Sequence, residues 1–493
     1  MAYTICFLTA FAVLLFFLVY GLMHVSSTDS YFNCNRQLGW FEFGNSFAAA
    51  STSLATVLFF FVTLGLTNGL YILFSPLSFL LGTWLFGRFM LPRLKEQHYS
   101  VSNDGSRTLG STLGEYIKTR YRSQLVKYTV MIITLLGILA IMLIELFVGV
   151  QIFDIFLKPE YGEYALYFIA AVAFIYTGLG GLNAVVQTDK WQFRFMMLTA
   201  FLLIIFMYYT YGNPIASDRY FPPIWGAHGV LSQNWALYAN MVFVNILLIP
   251  SLLRNWQLIA ATKSEKEIKR GFQNGVILTA AISLLFVIFG LLFFTVFSDA
   301  PKSMNGILTI MAESSNPVMS NVLFPMLFAA CLMALLSTVD SSLLPVIQCL
   351  ANDIFPKPQK MQKKVLYATY MIATLILTVF LYRIVFKWLN FDIISWLFTI
   401  FSLVTISSPA ILLACFGKDS ILRTRTMQLS TVICTILGLF IALAISICGN
   451  NISGGANLTI IQLNTPIAII VSSFFLGITY FIVKRRQRNS IRL

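Results

Sequence analysis

Residues 176–192 of the chain read YTGLGGLNAVVQTDKWQ, and they join two long apolar runs. The Gly180-Gly181 pair in this stretch is typical of a tight turn between two helices. Asp189 follows inside the second apolar run, where an ionisable side chain is expensive and is therefore a candidate for function. The stretch predicts two membrane helices joined by a glycine turn, with an acid in the second helix.

The composition of the chain indicates that lipid surrounds most of it. Of its 493 residues, 58% are hydrophobic and 11% are charged, and the mean hydropathy is +0.81. A soluble globular domain has roughly 25% charged residues, so this chain lacks the polar cover of a water-soluble fold. The net charge of +14 would indicate nucleic-acid binding only if the basic residues formed one face. They lie instead in short clusters between apolar runs, as on the cytoplasmic side of a membrane protein.

The apolar runs predict an all-α membrane protein of about thirteen spans, because one span needs about 20 apolar residues. The predicted spans are a leading helix at 3–24, ten core helices near 44–66, 69–92, 124–157, 163–179, 182–209, 235–259, 272–298, 319–350, 365–383 and 391–416, and two trailing helices at 427–448 and 463–483. The longest polar stretches, about 94–122 and 210–234, are predicted to be loops. Because no long linker separates the spans, we expect residues 1–493 to form a single transmembrane domain.

The basic residues predict the orientation of the chain in the membrane. With the N-terminus outside, about 26 of the 33 lysines and arginines fall on the cytoplasmic side, as the positive-inside rule requires. Large clusters lie at 263–270, 357–364, 418–425 and 484–492. We therefore expect a multi-pass protein of the plasma (inner) membrane with a cytoplasmic C-terminus.

The stretch 176–192 resembles the signature of the sodium/solute symporter family, in which a similar YT-x-x-GGL-x-AV-x-x-TD-x-x-Q string is found. Three further stretches resemble the family in the same order along the chain. They are 36–40 at the entry to core helix 1, 257–264 at the end of core helix 6, and 334–344 in core helix 8, together with 352–355 just after it. The resemblance therefore spans nearly the whole chain.

This resemblance implies both a fold and an activity. The fold is the one in which two repeats of five helices, here 44–209 and 235–416, are related by a pseudo-two-fold axis in the membrane. One leading helix and the two trailing helices (427–483) would flank this core. The activity is sodium-coupled symport of a small polar organic solute by alternating access. The implied partners are sodium ions, a small-molecule solute and the bilayer, with the protein acting as a monomer and binding no nucleic acid.

Two polar segments are candidates for a sodium site, because sodium is a hard cation that needs oxygen ligands. Core helix 1 contains the small and polar island 48–53, and in core helix 8 Ser337, Asp340 and Ser341 share one face at i, i+3 and i+4. By resemblance, the sodium ligands are the carbonyls of Ala49, Thr52 and Ala334 and the hydroxyls of Ser337 and Thr338. The alternative is that small residues and hydroxyls only allow close helix packing.

The sequence departs from the family pattern in the same segment. Core helix 1 often has Asn-x-Ser in the family, whereas this chain has Ser51-Thr52-Ser53. The carbonyl ligands are unaffected by this change. The solute contact that the asparagine would make is in question.

Asp189, Asp340 and Ser341, together with Ser337, resemble a second sodium site of some family members, in which a hydroxyl stands at the position of Asp340. Two carboxylates beside one sodium ion leave a net negative charge, which is unfavourable at low dielectric. Either one acid stays protonated or a second cation joins them. The alternative for Asp189 is an ion pair with a neighbouring basic residue, Lys190 or Arg194.

Glu145 lies deep in core helix 3, which lines the solute cavity in this family. It either faces the solute, favouring a cation or a hydroxyl-bearing molecule, or is a protonated acid hydrogen-bonded within the bundle. The full set of solute-binding candidates is Ser51, Thr56, Ser75, Ser78, Glu145, Asn240 and Asn245, each with packing as its alternative. Pro250 and the Ser-Ser-Pro segment 407–409 predict breaks in core helices 6 and 10.

Three other function classes compete with sodium symport. An enzyme would need a dense catalytic set, yet the only histidines are His24, His98 and His228, far apart in sequence. A solute sensor on the same fold would need a signalling domain, and the chain stops roughly ten residues after the last span. A proton-coupled symporter would use Glu145 or Asp189 as the proton carrier. The family covers sugars, amino acids, vitamins, sialic acids and quaternary amines, and the pocket candidates match none of these solutes.

Overall fold

The fold is that of a computed structural model, which describes residues 2–24, 30–63, 69–97, 99–101, 107–109, 112–156, 159–211, 234–297, 304–355, 363–388, 393–451 and 461–492. Most of these residues are helical. The helices of the first third are α1 (Ala2–Met23), α2 (Trp40–Ser51), α3 (Leu54–Phe61, with π-helical turns), α4 (Phe74–Leu85), α5 (Leu91–Gln97), α6 (Leu113–Tyr121) and α7 (Gln124–Phe156). A small antiparallel hairpin pairs Tyr99–Val101 with Arg107–Leu109. Short helical turns cover Cys34–Arg36, Gly69–Leu73 and Phe86–Met90.

The rest of the chain is helical as well. Its helices are α8 (Pro159–Tyr211), α9 (Trp235–Ser251), α10 (Leu253–Ala261), α11 (Glu265–Val296), α12 (Met304–Glu313), α13 (Phe324–Cys349), α14 (Lys363–Tyr382), α15 (Ile393–Thr405), α16 (Ser408–Phe416), α17 (Asp419–Leu422), α18 (Arg425–Asn451) and α19 (Asn464–Arg492). Short π-helical segments cover Met319–Leu323, Leu350–Ile354 and Arg383–Trp388.

The membrane character of the helices agrees with the predicted fold class. In the described part of the chain, nine helices are long and apolar enough to cross a membrane, and the pair α9 and α10, bent by 44°, makes a tenth span. A total of thirteen spans is reached when three more are added to these ten: α1, the broken pair of α2 and α3, and a second span from dividing α8 at Gly181. The all-helical membrane fold is confirmed, and the number of thirteen stays a prediction.

The glycine turn predicted within 176–192 is present at Gly181. This residue has φ +66° and ψ −161° inside α8, a conformation that essentially only glycine adopts. A Cβ atom here would lie 2.7 Å from the carbonyl oxygen of Tyr31, which accepts the amide of Leu182 at 2.9 Å. Gly181 therefore both turns the chain and allows the 30–36 segment to approach it.

Replacing Gly181 with alanine is expected to destabilise the protein. The strained backbone alone costs about 1–3 kcal/mol, and the new Cβ would also push away Tyr31. The apparent Tm of the detergent-purified protein measures this effect. Gly477→Ala is the matched control, because Gly477 lies inside α19 with no atom near its missing Cβ, and there alanine should be neutral or slightly stabilising. Equal Tm values for both variants would contradict the prediction.

Helix breaks are present at three further places, and two of them, near Pro250 and at 407–409, were predicted. α2 and α3 are separated by Thr52 (φ −91°, ψ 69°) and Ser53 (φ −72°, ψ 143°), within the island 48–53. The bend between α9 and α10 follows Pro250 directly. α15 ends and α16 begins around Ser407, with Pro409 in the first turn of α16.

The chain divides into two compact units, each built from discontinuous segments. The first consists of Met1–Leu80, Met142–Trp235 and Thr262–Leu344, and the second of Leu81–Ile141, Ala236–Ala261 and Pro345–Leu493. Each unit takes segments from both predicted repeats. In the first unit, α2 packs closely on α11 because Gly271 and Gly275 face the rings of Phe43 and Phe47. This packing positions α2 next to the polar residues described below.

In the second unit, the structure differs from the prediction of a loop at 94–122. This region contains the hairpin and α6, whose Arg120 is buried. The Arg120 guanidinium donates to the carbonyl oxygens of Ala414 and Gly417, both at 2.7 Å, and pairs with Asp419. Two other helical segments were not predicted. They are α12 and the last part of α19, which continues beyond the predicted span 463–483 to Arg492. The predicted loop 210–234 lies almost wholly outside the described residues.

Candidate functional site

Asp189 connects three helices of the first unit. It lies on the second half of α8 and is fully buried. Its carboxylate accepts hydrogen bonds from the Ser46 hydroxyl of α2 at 2.5 Å and from the Ser337 hydroxyl of α13 at 2.6 Å. One buried carboxylate therefore holds α2 and α13 at the level of the predicted sodium site.

The contacts of Lys190 and Arg194 do not favour the alternative role of Asp189, an ion pair with one of these residues. The Lys190 ammonium donates to the side-chain oxygen of Gln187 at 3.2 Å. The Arg194 guanidinium lies over the aromatic rings of Phe41 and Trp191. Both basic groups thus have other contacts, and the Ser46 and Ser337 hydroxyls donate to Asp189.

The polar face of α13 is buried as predicted. Ala334, Ser337, Thr338, Asp340 and Ser341 are all at most 7% exposed. The Thr338 hydroxyl donates to the Ala334 carbonyl at 3.0 Å, and the Ser341 hydroxyl donates to the Thr338 carbonyl at 3.4 Å. The oxygens on this face are therefore close together and shielded from solvent.

Asp340 has an incomplete set of hydrogen bonds. The Tyr176 hydroxyl of α8 donates to its Oδ2 atom, whereas its buried Oδ1 atom has no hydrogen-bond partner among the described residues. Ser337, which donates to Asp189, lies one turn before Asp340 on the same face of α13. A buried carboxylate oxygen without a donor is unfavourable, and a bound cation would satisfy it.

The break between α2 and α3 is stabilised by Glu145 of α7. This side chain is 1% exposed. It accepts the amides of Leu54 and Ala55, at 3.1 and 3.4 Å, and the Ser53 hydroxyl also donates to it. Of its two predicted roles, hydrogen bonding within the bundle agrees with these contacts.

Thr52, at the same break, is buried with Ala49 one turn before it. The Thr52 amide donates to the carbonyls of Ala48 and Ala49, at 2.9 and 3.0 Å, which closes the last turn of α2. The Thr56 amide, which an unbroken helix would direct to the Thr52 carbonyl, instead bonds the Ser53 hydroxyl at 3.1 Å. The break thus leaves the Thr52 carbonyl oxygen out of the helical hydrogen-bond ladder.

The other solute-binding candidates are divided between the two compact units. Ser51 and Thr56 flank the break and are half-buried. Ser75 and Ser78 are buried together on α4, where the Ser78 hydroxyl donates to the Ser75 carbonyl at 2.8 Å. These four candidates are in the first unit.

The last two candidates, Asn240 and Asn245, lie on α9 in the second unit. The buried Asn240 amide donates to the carbonyl of Gln462 and to the Thr465 hydroxyl, the latter at 3.4 Å. Its side chain thus binds α19 and the residues just before it. Asn245 is half-buried on the same helix.

Three contributors to the site were missed by sequence reasoning. Ser46 precedes Ala49 by three residues and so shares its helix face, a spacing that could have identified it. Tyr176 was quoted in the 176–192 stretch without a role. Ser53 was part of the polar island, but its role as a partner of Glu145 depends on a contact across 92 residues.

The donor set of this region fits a hard monovalent cation. Carboxylate, hydroxyl and carbonyl oxygens are the groups that hard cations prefer, and all of the buried polar groups named on α2, α8 and α13 offer such oxygens. The unpartnered Oδ1 atom of Asp340 is an acceptor in need of a positive charge or a donor. The region can therefore hold a small cation away from water.

Comparison of the sequence with known proteins identifies a family. A family model described as "Sodium:solute symporter family" matches residues 31–420. The sodium/pantothenate symporter of Haemophilus influenzae is 27% identical over 299 residues, which are 58% of this chain and 59% of that protein. The sodium/sialic acid symporter SiaT of Proteus mirabilis is 25% identical over 208 residues, which are 39% of this chain and 41% of that protein. The chain thus spans less than two thirds of the length of each relative.

Comparison of the structure with solved structures gives the fold. A Na⁺-coupled sialic acid symporter in a substrate-bound outward-open state has a TM-score of 0.71 at 18% identity, over 96% of this chain and 98% of that chain. Mhp1, a transporter of the nucleobase-cation-symport-1 family, has a TM-score of 0.55 at 9% identity, over 92% of this chain and 94% of that chain. These likenesses confirm the predicted inverted-repeat transporter fold. All four proteins are transporters, in agreement with the prediction of no enzyme activity.

Proposed function

Because the chain belongs to the sodium:solute symporter family, we propose that it is a secondary active transporter that couples sodium to a small polar organic solute by alternating access. It acts as a monomer in the plasma (inner) membrane. The observation that carries this proposal is the buried oxygen cluster of α2, α8 and α13, in which Asp189 accepts from Ser46 and Ser337. In a chain with 11% charged residues, such a cluster is unfavourable unless a cation uses it.

The proposed sodium ligands are the carbonyls of Ala49, Thr52 and Ala334 and the hydroxyls of Ser337 and Thr338. The Thr52 carbonyl is outside the helical ladder, which supports its role. The Ser337 hydroxyl gives its hydrogen to Asp189, and the Thr338 hydroxyl gives its hydrogen to Ala334. Both hydroxyl oxygens therefore keep lone pairs for a cation, as a sodium site requires.

Asp189, Asp340 and Ser341 are the proposed ligands of a second sodium ion, which Ser337 would share. The support for this site is the buried Asp340 Oδ1 atom, which has no hydrogen-bond partner among the described residues. When both are ionised, Asp189 and Asp340 carry more negative charge than one sodium ion offsets.

Removing the two proposed hydroxyl ligands is expected to weaken sodium coupling. In the variant Ser337→Ala plus Thr338→Ala, we expect the sodium concentration for half-maximal uptake to rise about 10- to 100-fold, the usual range for groups that hold or orient a metal. Proteoliposome uptake at varied sodium concentration measures it. Thr374→Ala plus Thr378→Ala on α14 is the matched control, because it also removes two buried helix hydroxyls. Wild-type uptake that ignores sodium would overturn the proposal and favour proton coupling.

The solute can be found by a thermal-shift screen of the purified protein, with sodium or choline as the cation. Pantothenate and sialic acid are tested first, because relatives of the chain are symporters of these compounds. A true solute should raise the Tm more in sodium than in choline, since coupled ligands bind cooperatively. Counterflow in proteoliposomes then separates transport from sensing, because a sensor binds the solute without exchanging it.

The proposed orientation has the N-terminus outside and the C-terminus in the cytoplasm. The basic end of α19, which includes Lys484, Arg485 and Arg486, supports a cytoplasmic location. A reporter that functions only in the cytoplasm is expected to be active when it is fused after Leu493. If the C-terminal reporter proves to lie outside the cytoplasm, the thirteen-span arrangement is contradicted.

A further inference from the structure

The hydrogen bonds at the α2–α3 break exchange main-chain acceptors for side-chain acceptors. In an unbroken α-helix, each amide bonds the carbonyl four residues earlier, so the amides of 54–56 would bond the carbonyls of 50–52. Two of these amides bond Glu145 instead, and the third bonds the Ser53 hydroxyl. Two side chains therefore replace three main-chain acceptors.

This exchange determines whether the Thr52 carbonyl oxygen accepts a hydrogen bond within the helix. If the Thr56 amide returned to it, the helix would continue and the oxygen would be spent on its own ladder. The Ser53 hydroxyl prevents this by accepting the Thr56 amide, while it donates its own hydrogen to Glu145. Glu145 thus fixes the orientation of the Ser53 hydroxyl and, through it, the exclusion of the Thr52 carbonyl from the helix.

We infer that Glu145 is a positioning residue for the sodium site: from α7, it holds the α2–α3 break in the form that presents the Thr52 carbonyl to the ion. This inference rests on the proposed function, in which that carbonyl is a sodium ligand. A carboxylate suits the task because it accepts all three donors and lies at the N-terminal end of α3, where negative charge is favourable. α7 is suited to holding the α2–α3 break because α7 is a continuous helix of 33 residues.

A direct solute contact for Glu145 is less consistent with the same geometry. Both carboxylate oxygens already accept donors from 53–55, and the side chain is 1% exposed. A solute would have to displace those donors. Glu145 therefore acts on transport through the backbone of α2 and α3.

The test is equilibrium binding of ²²Na⁺ to the purified full-length protein without solute. Glu145→Ala should weaken sodium binding about 10- to 100-fold, the range found when groups that orient metal ligands are lost. Glu145→Gln keeps one carbonyl acceptor and should fall between this variant and the wild type. Ser53→Ala should also weaken binding, because it frees the Thr56 amide for the Thr52 carbonyl, whereas Ser53→Thr keeps a hydroxyl and should bind like the wild type.

The control on the same helix is Thr134→Val, which removes a buried hydroxyl of α7 away from the break. Its sodium affinity should equal that of the wild type. If Glu145→Ala and Ser53→Ala both bind sodium with the wild-type affinity, the inference is overturned, whereas the proposed function is not. A wild-type protein that binds no sodium would overturn the proposed function and the inference with it. If Glu145→Ala does not fold, the Ser53→Ala and Ser53→Thr pair decides.

Discussion

Replacing Asp189 with asparagine is expected to lower the sodium affinity about 100- to 1,000-fold. A unit charge roughly 4 Å from a cation contributes about 4 kcal/mol at an effective dielectric constant of 20, which is about a thousandfold in affinity. Asparagine removes that charge. The Ser46 and Ser337 hydroxyls donate to different carboxylate oxygens, so an asparagine in the same position would face one of them with its NH₂ group. Sodium titration of solute uptake and of ²²Na⁺ binding measures the loss.

The matched control is Glu313→Gln, which removes an equal charge from an exposed position at the end of α12. It should leave the sodium affinity unchanged, because exposed charges are screened by water and salt. A sodium affinity in Asp189→Asn within about threefold of the wild type would contradict the prediction. Asp189 would then be a hydrogen-bonded connection between α2 and α13 without a role in ion binding.

The sequence was sufficient to predict the long apolar helices and several of their breaks. Membrane spans follow from runs of apolar residues, which need no knowledge of tertiary contacts. The breaks follow from residues with local conformational effects, such as Gly181 in α8 and Pro250 before the bend of α9. α12 was missed because its ten residues are too short for a span and lie beside a polar loop.

The partners of the buried polar residues could not be predicted in the same way. Ser46 donates to Asp189 across 143 positions of sequence, and Glu145 accepts from Ser53 across 92. Such pairs depend on which helix faces meet, and neither hydropathy nor periodicity contains that information. The sequence identified Asp189 and Glu145 as buried acids, whereas only the structure assigns their serine donors, two to Asp189 and one to Glu145.

The second large effect concerns the number of sodium ions moved per solute. One sodium ion crossing about 100 mV releases about 2.3 kcal/mol, and a tenfold gradient adds about 1.4 kcal/mol. One ion thus supports roughly 500-fold accumulation of a neutral solute, and two ions support the square of that value. We expect two ions, because Asp189 and Asp340 are both fully buried and Ser337, one turn before Asp340 on α13, donates to Asp189.

The reversal potential of solute-driven flux in liposomes distinguishes the two cases. With a 100-fold gradient of a neutral solute and equal sodium on both sides, net flux should stop at about 60 mV for two ions and about 120 mV for one ion. Asp340→Ala should shift the potential from the first value to the second, because it removes a ligand and a charge from the second site. Asp340→Ser should keep the two-ion value, since a hydroxyl at this position resembles the second sodium site of other family members. A wild-type potential that fits one ion and does not change in Asp340→Ala would leave Asp340 with a structural role, as the acceptor of the Tyr176 hydroxyl.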